Sequence, residues 1–540
     1  MKSSWKQRFF VLSYFKKGKV IFLLLLIFVT SVLSLCPPQI ISYILDNGVV
    51  KASPRTIIYC GLLLICIYAG SFFINYFISQ TLTKLKSYFI ADIKQDLFEQ
   101  ILKLPMEFFD KQPTGYVLER IKETDTLNVF FSPIFVKFIT SVLSFIGALA
   151  LVLSIRWEMA IVILLFLPVI YYFTNYSNIQ IKKASKILFE TTAKTSGQVQ
   201  ENIGGISAIK ELKMEKQRSE EISKQLKSVA DKSVKSGKIM NLASEGIIGI
   251  SNIAAAILII CSGLFIVNGK MSLGDYWAVS QYATLVFAPV QLLSSISVMV
   301  QPGIVALTRI DELLKMKTED EISGNKKTGK IEDVVFSDVS FGYDEKTVIQ
   351  HFNMEAHKNT KIVLLGKNGS GKTTIAKLLL GFYKNYFGSI RINDIELRDI
   401  SLSDLRSRIG SVAQNIFLFS GTLLDNIRYI APELKEQEVI SVLRQAGLDI
   451  SEFEDGLNSL ISENGKNLSG GQRQKIALAR MIVKNPDVMI FDEATANLDI
   501  TSSNLLKESI KTYFDEKICL IITHDKSMTS IADTVINLSD

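Results

Sequence analysis

The stretch Gly366-Lys-Asn-Gly-Ser-Gly-Lys-Thr-Thr374 follows the apolar run Lys361-Ile-Val-Leu-Leu365 and precedes Ile375-Ala-Lys-Leu-Leu-Leu380. A strand that delivers the chain into a glycine-rich turn, with a helix opening behind it, is built to hold phosphate. Glycines let backbone N–H groups approach an anion without side-chain hindrance, and the helix start adds partial positive charge. In the pattern Gly-x4-Gly-Lys-Thr, residues Gly366, Asn368, Gly369, Ser370 and Gly371 form the cradle. Lys372 reaches the β- and γ-phosphates, and Thr373, with Thr374 beside it, offers a hydroxyl to Mg²⁺. A chance glycine turn is the bland alternative, and the strand before and helix after disfavour it.

A second element is Asp487-Val-Met-Ile-Phe-Asp-Glu493, an apolar strand ending in two carboxylates. Asp492 is suited to hold Mg²⁺ through water, and Glu493 to polarise an attacking water. Solvated acids capping a strand are unremarkable alone; beside a phosphate loop they point to ATP hydrolysis. A third element, Asn467-Leu-Ser-Gly-Gly-Gln-Arg-Gln474, places a Ser-Gly-Gly turn before a helical stretch over 475–483. It is a second anion-binding helix start. One chain therefore carries two phosphate-binding ends and one full nucleotide site.

With these motifs the sequence resembles the ATP-binding cassette (ABC) transporter family, and within it the exporter half-transporters, over essentially the whole chain. The resemblance implies further roles, position by position. Tyr343 in Phe-Gly-Tyr matches the aromatic that stacks on adenine. Gln414 in Ser-Val-Ala-Gln-Asn-Ile-Phe-Leu-Phe matches the glutamine that senses Mg²⁺ and contacts the membrane domain. Ser469, Gly470, Gly471 and Gln472 match the motif that meets the γ-phosphate of the nucleotide on the opposite subunit. Asp499 in Ala-Asn-Leu-Asp matches a loop crossing the dimer interface, and His524 in Ile-Thr-His-Asp the switch histidine at the γ-phosphate. In the other half, Phe108-Phe-Asp-Lys-Gln-Pro-Thr-Gly115 resembles the segment just before the first coupling helix, and 201–215 the second coupling region. Two departures stand out: Asp525 follows the switch histidine where exporters more often carry Arg, and the chain stops at Asn537-Leu-Ser-Asp540 where the family usually adds a glycine-rich tail.

The elements that must position this chemistry begin with a very different half. Mean hydropathy is +0.27 over 540 residues, an average of an apolar part to about residue 300 and an ordinary globular part after it. Apolar runs at 20–41, 57–78, 134–155, 159–176, 247–267 and 278–300 are each near or above the length needed to cross about 30 Å of hydrocarbon. The first reads as a retained span, because it is long and Cys36-Pro-Pro38 makes a poor cleavage site. Between spans, 82–104 and 182–238 show heptad-like apolar spacing, as in Ile90, Ile93, Leu97, Ile101 and Leu104. That spacing predicts helices running well beyond the bilayer.

The net charge of +7 is explained by topology rather than by nucleic acid, since no basic helix or basic-aromatic strand stands out. Lys2, Lys6, Arg8, Lys16, Lys17 and Lys19 precede the first span, and 79–133 and 177–246 are rich in Lys. The remaining connections carry Lys51, Arg55, Arg156 and Lys270. The positive-inside rule puts the N-terminus, both long connections and the ATPase half in the cytosol of a multi-pass protein, expected in a bacterial plasma membrane. Five scattered cysteines form no disulfide framework, and three histidines exclude a His-rich metal site.

The expected architecture is a membrane α-helical six-span exporter domain over 1–315, a polar linker over 316–330 and an α/β P-loop ATPase domain over 331–540. The expected cofactors are ATP and Mg²⁺. The expected partners are a second copy of the chain (a homodimer, or a related chain as heterodimer), membrane lipid and an amphipathic substrate. With no charge at the centre of a span, and Lys137 near a cytosolic end, Asn75, Asn175, Gln281 and Gln291 among many Phe and Tyr suit a small peptide, a lipid or a drug. No peptidase-like domain precedes the first span, so leader trimming is not expected. An importer, or a non-transporting regulatory or channel subunit, is the alternative; idle partners tend to lose the catalytic Glu or the Leu-Ser-Gly-Gly-Gln motif, and both are present.

Overall fold

A computed structural model of the chain describes residues 17–112, 114–343, 346–367, 369–493 and 500–538. The chain divides into two compact units, residues 1–99 with 115–315 and residues 100–114 with 316–540.

The first unit is helical. The run expected as one span over 20–41 is two helices, α1 (Lys17–Leu33) and α2 (Cys36–Tyr43), separated by a turn at Ser34-Leu35. The reason is local: Pro37 and Pro38 occupy the first helical positions of α2, where a missing N–H costs nothing, but they cannot continue the bonding ladder of α1. The helix then widens into a π-helical turn over Ile44–Val49. Next come α3 (Pro54–Leu102), α4 (Met106–Lys111), α5 (Pro133–Ile155), α6 (Trp157–Gly204), α7 (Glu215–Val267) and α8 (Leu273–Leu314). The helix α3 has 49 residues, α6 48 and α7 53. At 1.5 Å per residue each reaches roughly 70–80 Å, more than twice the hydrocarbon thickness, as the heptad-like spacing predicts.

Among the described residues, five helical stretches are long and apolar enough to cross a membrane: Val20–Val49, Pro54–Leu102, Gly115–Ile155, Trp157–Gly204 and Glu215–Val267. The sixth expected span, 278–300, lies within α8. The core of this unit joins Val152 of α5 and Met159, Ile163 and Ile170 of α6 to Leu258 of α7 and Val279, Tyr282 and Val286 of α8. Tyr282 also donates its hydroxyl to the Leu35 carbonyl at the α1–α2 break, 2.8 Å away. Gln291 donates to Ser251 Oγ across α8 and α7 at 3.3 Å. Asn75 donates to Ser71 O one turn back on its own helix at 2.9 Å. The second expected coupling region forms a short helix, Ile206–Glu211, between α6 and α7. The segment 108–115, expected just before the first coupling helix, begins inside α4, which belongs to the other unit.

The second unit is α/β. Strands β1 (Asp333–Tyr343), β2 (Lys346–His357), β4 (Phe387–Ile392) and β5 (Ile395–Glu396) form an antiparallel sheet in the order β2-β1-β4-β5. Strands β3 (Lys361–Gly366), β6 (Ile409–Val412), β9 (Val488–Asp492), β10 (Ile518–Ile522) and β11 (Thr534–Leu538) form a parallel sheet in the order β11-β3-β10-β9-β6. A small pair, β7 (Gly421–Thr422) with β8 (Leu460–Ile461), completes it. Strands β9 and β10 are buried along their whole length, which is why they read as continuous apolar runs rather than alternating ones. One core lies between the two sheets, around Phe336, Ile375, Ile390 and Leu520. The other packs helix α11 (Gly470–Lys484) onto the parallel sheet through Ile476, Ala479, Phe491 and Ile521.

Candidate functional site

Open parallel sheets bind ligands outside the carboxyl ends of their strands, and four adjacent strands here end in sequence-predicted residues. The phosphate loop follows β3, His524 follows β10, Glu493 follows β9 and Gln414 follows β6. The register levels the ends: Leu364 pairs with Ile522, Ile522 with Asp492, and Phe491 with Val412.

In the phosphate loop, Gly369 and Gly371 have φ of 86° and 91°, a left-handed conformation that any side chain would strain. Gly371 ends the turn directly before α9 (Lys372–Leu379). A Cβ on Gly366 would meet Ser370 Oγ at 2.6 Å and Leu538 O at 2.8 Å, so the loop closes tightly on itself. Lys372 is buried, and its ammonium donates to the carbonyls of Gly366 and Lys367 at 2.7 and 2.9 Å. Burial pushes its pKa down, against the pull of Glu493 and Asp492. Ser370 Oγ is buried without a hydrogen-bond partner among the described residues. A buried lysine whose described hydrogen bonds go to backbone carbonyls, and an orphaned hydroxyl in a glycine cradle, fit a polyphosphate.

Behind the loop, Thr373 donates to Asp492 Oδ1 at 3.2 Å, so the hydroxyl and the carboxylate expected to share Mg²⁺ are already neighbours. Burial raises the Asp492 pKa; the Thr373 hydrogen bond opposes that, and the neighbouring Glu493 adds to it. A carboxylate held in this state gains from a cation. Glu493 leaves its strand with φ of 48°, a strained value for a non-glycine residue, and its N–H is fixed to Ile522 O at 2.8 Å. Its two carboxylate oxygens are held separately: His524 Nε2 lies 2.8 Å from one, and Gln414 Nε2 donates to the other. The three residues expected to be catalytic thus form one cluster. Tyr343 stands on the loop's other flank, its ring edge-to-face with Phe341 and Tyr383 at 5.1 and 5.3 Å and its hydroxyl 3.4 Å from Thr374.

Ser469 to Gln472 stand apart from this cluster. Ser469 caps α11: its Oγ accepts from Gln472 N at 3.2 Å, and its own N–H donates to Gln472 Oε1 at 3.0 Å. Gln472 reaches on to Glu452 at 3.2 Å. Ser469 and Gly470 are exposed, and a Cβ on Gly470 would meet nothing within 4 Å. No described hydrogen bond joins this end to the phosphate loop. Asn368 and Asp499 lie outside the described residues.

Family models match the chain twice, as the ABC transporter transmembrane region over 20–290 and as the ABC transporter over 349–496. The chain belongs to the ABC transporter family. An uncharacterized ABC transporter ATP-binding protein of Bacillus subtilis, YwjA, is 28% identical over 97% of this chain and 92% of its own length. An ATP-dependent lipid A-core flippase of Francisella tularensis is 26% identical over 91% of this chain and 82% of its own. A solved structure of a bacterial Atm1-family ABC exporter with ATP bound shares the fold, with a TM-score of 0.82 over 96% of this chain and 93% of that one at 21% identity. This ABC transporter thus fuses a helical transmembrane domain to an ATPase domain, and it binds and hydrolyses ATP to drive transport.

Three features of the ABC transporter's site escape its motifs. Asn426, fully buried, bonds Phe419 N, Phe419 O and Thr422 O, and Arg480 of α11 clasps Asn426 and the Phe417 carbonyl. Together they fix the segment after Gln414, leaving Phe417, Phe419 and Tyr429 as an exposed aromatic cluster with ring centres 5.1 and 5.2 Å apart. Asp110 of α4 accepts from the Tyr383 hydroxyl, beside Tyr343, at the edge of a pocket of about 380 Å³. Asp525 accepts from Ser527 N and Oγ at 2.8 and 2.7 Å, capping the turn after His524. Asn426 stands beside Asp425 among Leu423, Leu424 and Ile427, and its burial sets it apart; Asp110 finds its partner 273 residues along the chain, whereas Asp525 caps a residue only two positions on.

Proposed function

We propose that two copies of this chain make an exporter that moves an amphipathic molecule (a small peptide, a lipid or a drug-like compound) across or between the leaflets of a bacterial plasma membrane. The observation that carries the dimer is the contrast at the site: a phosphate loop with acids and histidine beside it, and an exposed α11 start that no described hydrogen bond joins to that loop. Each loop then faces the Ser469–Gln472 motif of the other copy, with Asn368 in the cradle and Asp499 at the crossing. We take 1–315 as the transmembrane domain, 316–330 as the linker and 331–540 as the ATPase domain, with the N-terminus and ATPase in the cytosol.

In this reading Tyr343 stacks on adenine and Lys372 binds the β- and γ-phosphates, with Gly366, Gly369, Ser370, Gly371 and Thr374 closing around them. Thr373, Gln414 and Asp492 would hold Mg²⁺, which would supply neutralising charge to the phosphates. Glu493, fixed between Gln414 and His524, takes the proton of the attacking water, and His524 contacts the γ-phosphate. The lipid A-core flippase relatives favour export or flipping over import. Ile203, Ile206 and Leu212, near the turn between α6 and α7, are exposed apolar residues.

The test is purified protein in lipid vesicles challenged with a panel of peptides, lipids and drugs. At least one class should stimulate ATPase and move with ATP, and a Glu493→Gln protein should move none. ATPase that runs unchanged by every class, with no ATP-dependent movement, would overturn the transport reading. A cysteine at Ser53 should react with an impermeant thiol reagent outside intact cells and one at Ser219 should not; the reverse would overturn the orientation.

A further inference from the structure

The two helices that begin at the phosphate-binding motifs also end at one place. The α9 helix, which starts at Lys372, ends at Leu380, whose carbonyl accepts from Arg406 Nε at 3.2 Å. The α11 helix, which starts at Gly470, ends at Lys484, whose ammonium donates to the carbonyls of Arg406 and Ile409 at 2.7 and 2.8 Å. Burial holds the Lys484 pKa down. Arg406 lies on a short helix, α10 (Leu402–Arg408), that carries none of the site's chemistry. Its guanidinium sits 5.0 Å from the Phe382 ring and forks onto Glu319 with bonds of 2.5 and 3.0 Å.

Glu319 belongs to 316–330, the stretch that the sequence offers as a polar linker. It is docked rather than loose. Ser323 Oγ accepts from Leu402 N at 2.9 Å, Lys326 pairs with Asp399 at 2.9 Å, and the Asp404 carboxylate takes both the N–H and the hydroxyl of Thr328. Gly324 approaches Asp399 so closely that a Cβ would lie 1.9 Å from its carbonyl. The N–H of Glu319 donates to Lys103 O at 2.7 Å, and Gln100 Nε2 donates to Met316 O at 2.7 Å. Lys103 follows the last residue of α3, the helix of the second expected span.

We propose that Arg406 and Glu319 form a joint that passes the state of the nucleotide site to the cytosolic end of α3. Both are positioning residues. The path has three strokes: the ends of α9 and α11 meet at Arg406, Arg406 grips Glu319, and Glu319 holds Lys103. A bidentate Arg–carboxylate pair is suited to this, because its two parallel bonds fix an orientation as well as a distance. Side-chain exposures of 31% and 19% leave the pair partly shielded from solvent screening. The joint rests on the transport reading above, and it uses no residue assigned there to ATP.

The experiment uses the full chain in lipid nanodiscs with the five native cysteines replaced and one spin label per chain at Ser53. Distance between the two labels is measured with and without ATP and vanadate, alongside fluorescent-nucleotide affinity, ATPase rate and melting temperature. The wild type should show a nucleotide-dependent shift. Glu319→Gln, which keeps the N–H to Lys103 but loses the fork, should lose most of that shift while nucleotide affinity and ATPase change by no more than about threefold. Arg406→Gln should do the same, and the double variant should lose no more than either single one, because both act through one link. A full shift in both single variants would overturn the joint, as would a loss of shift matched by an equal loss of nucleotide affinity. A wild type with no shift would overturn the transport reading, and the joint with it.

Discussion

The two phosphate-binding helix starts, at Lys372 and at Gly470, share a chemistry and differ in their surroundings. Both follow glycine-containing turns and both place N–H groups at the positive end of a helix dipole. The first is buried at the carboxyl ends of parallel strands, with Asp492, Glu493, His524 and Gln414 delivered by its neighbours in the sheet. The second lies at the surface, stabilised by its own capping box. A helix start that needs no ligand to be stable can wait exposed for a second subunit. One that encloses a lysine and a serine hydroxyl without a partner among the described residues is poised for its own ligand. The difference supports the proposal that hydrolytic chemistry is local to each chain while the completed site is shared.

Breaking the first start should have the largest effect. Lys372→Ala removes the buried cation and should lower ATPase by about 10²-fold or more, since electrostatic stabilisation of the transferring group is lost. Near-normal rates from purified protein would show that Lys372 does not act on phosphate. Glu493→Gln keeps hydrogen bonding at the strand end but removes the proton acceptor. It should slow hydrolysis by about 10²–10⁴-fold while leaving nucleotide affinity near wild type. If rate and affinity fell together, Glu493 would be a structural residue rather than the water-activating one.

A smaller effect is expected beside the loop. Tyr343→Ala should raise the KM for ATP by roughly tenfold, in keeping with about 1–3 kcal/mol for an aromatic stacked on a base, and Tyr343→Phe should change it little. Equal defects in both variants would assign the hydroxyl contact with Thr374, and not the ring, as the part that matters.

The smallest lies far from both starts, at the exposed pair of His357 with Asp333, 2.6 Å apart between β2 and β1. The Asp333 hydrogen bond raises the His357 pKa above its ordinary value, slightly opposed by burial. Stability from this pair is therefore fully present below about pH 6.5 and lost as pH rises through the folded value. Asp333→Asn should lower the melting temperature slightly at pH 6 and not at pH 9. The same fall at both values would mean that the charge on His357 plays no part.

How much of this was legible in the sequence follows the same division. The phosphate loop, the Asp492-Glu493 strand end and the α11 start each lie within a dozen residues, so local spacing reveals them. The long helices were readable from apolar periodicity. The break at Ser34-Leu35 was present in the sequence as Pro37 and Pro38, but there it spoke only to cleavage; its effect on helix bonding belongs to the fold. The docking of 316–330 was not readable, because polar residues that look like a linker find partners at Asp399, Asp404 and Arg406 far along the chain. Asp525 looked like a departure from the family and is a turn cap, a local role that masks nothing at His524.

The central claim is that the α11 start of one copy completes the phosphate loop of the other, and a crosslink tests it most directly. In a chain otherwise free of cysteine, Ser370→Cys and Ser469→Cys are introduced together, and the protein in lipid is oxidised with ATP present and hydrolysis blocked by Glu493→Gln. The account predicts a covalent dimer that ATP promotes, and none from a chain carrying either cysteine alone. A disulfide formed within single chains, with the covalent dimer absent, would contradict it.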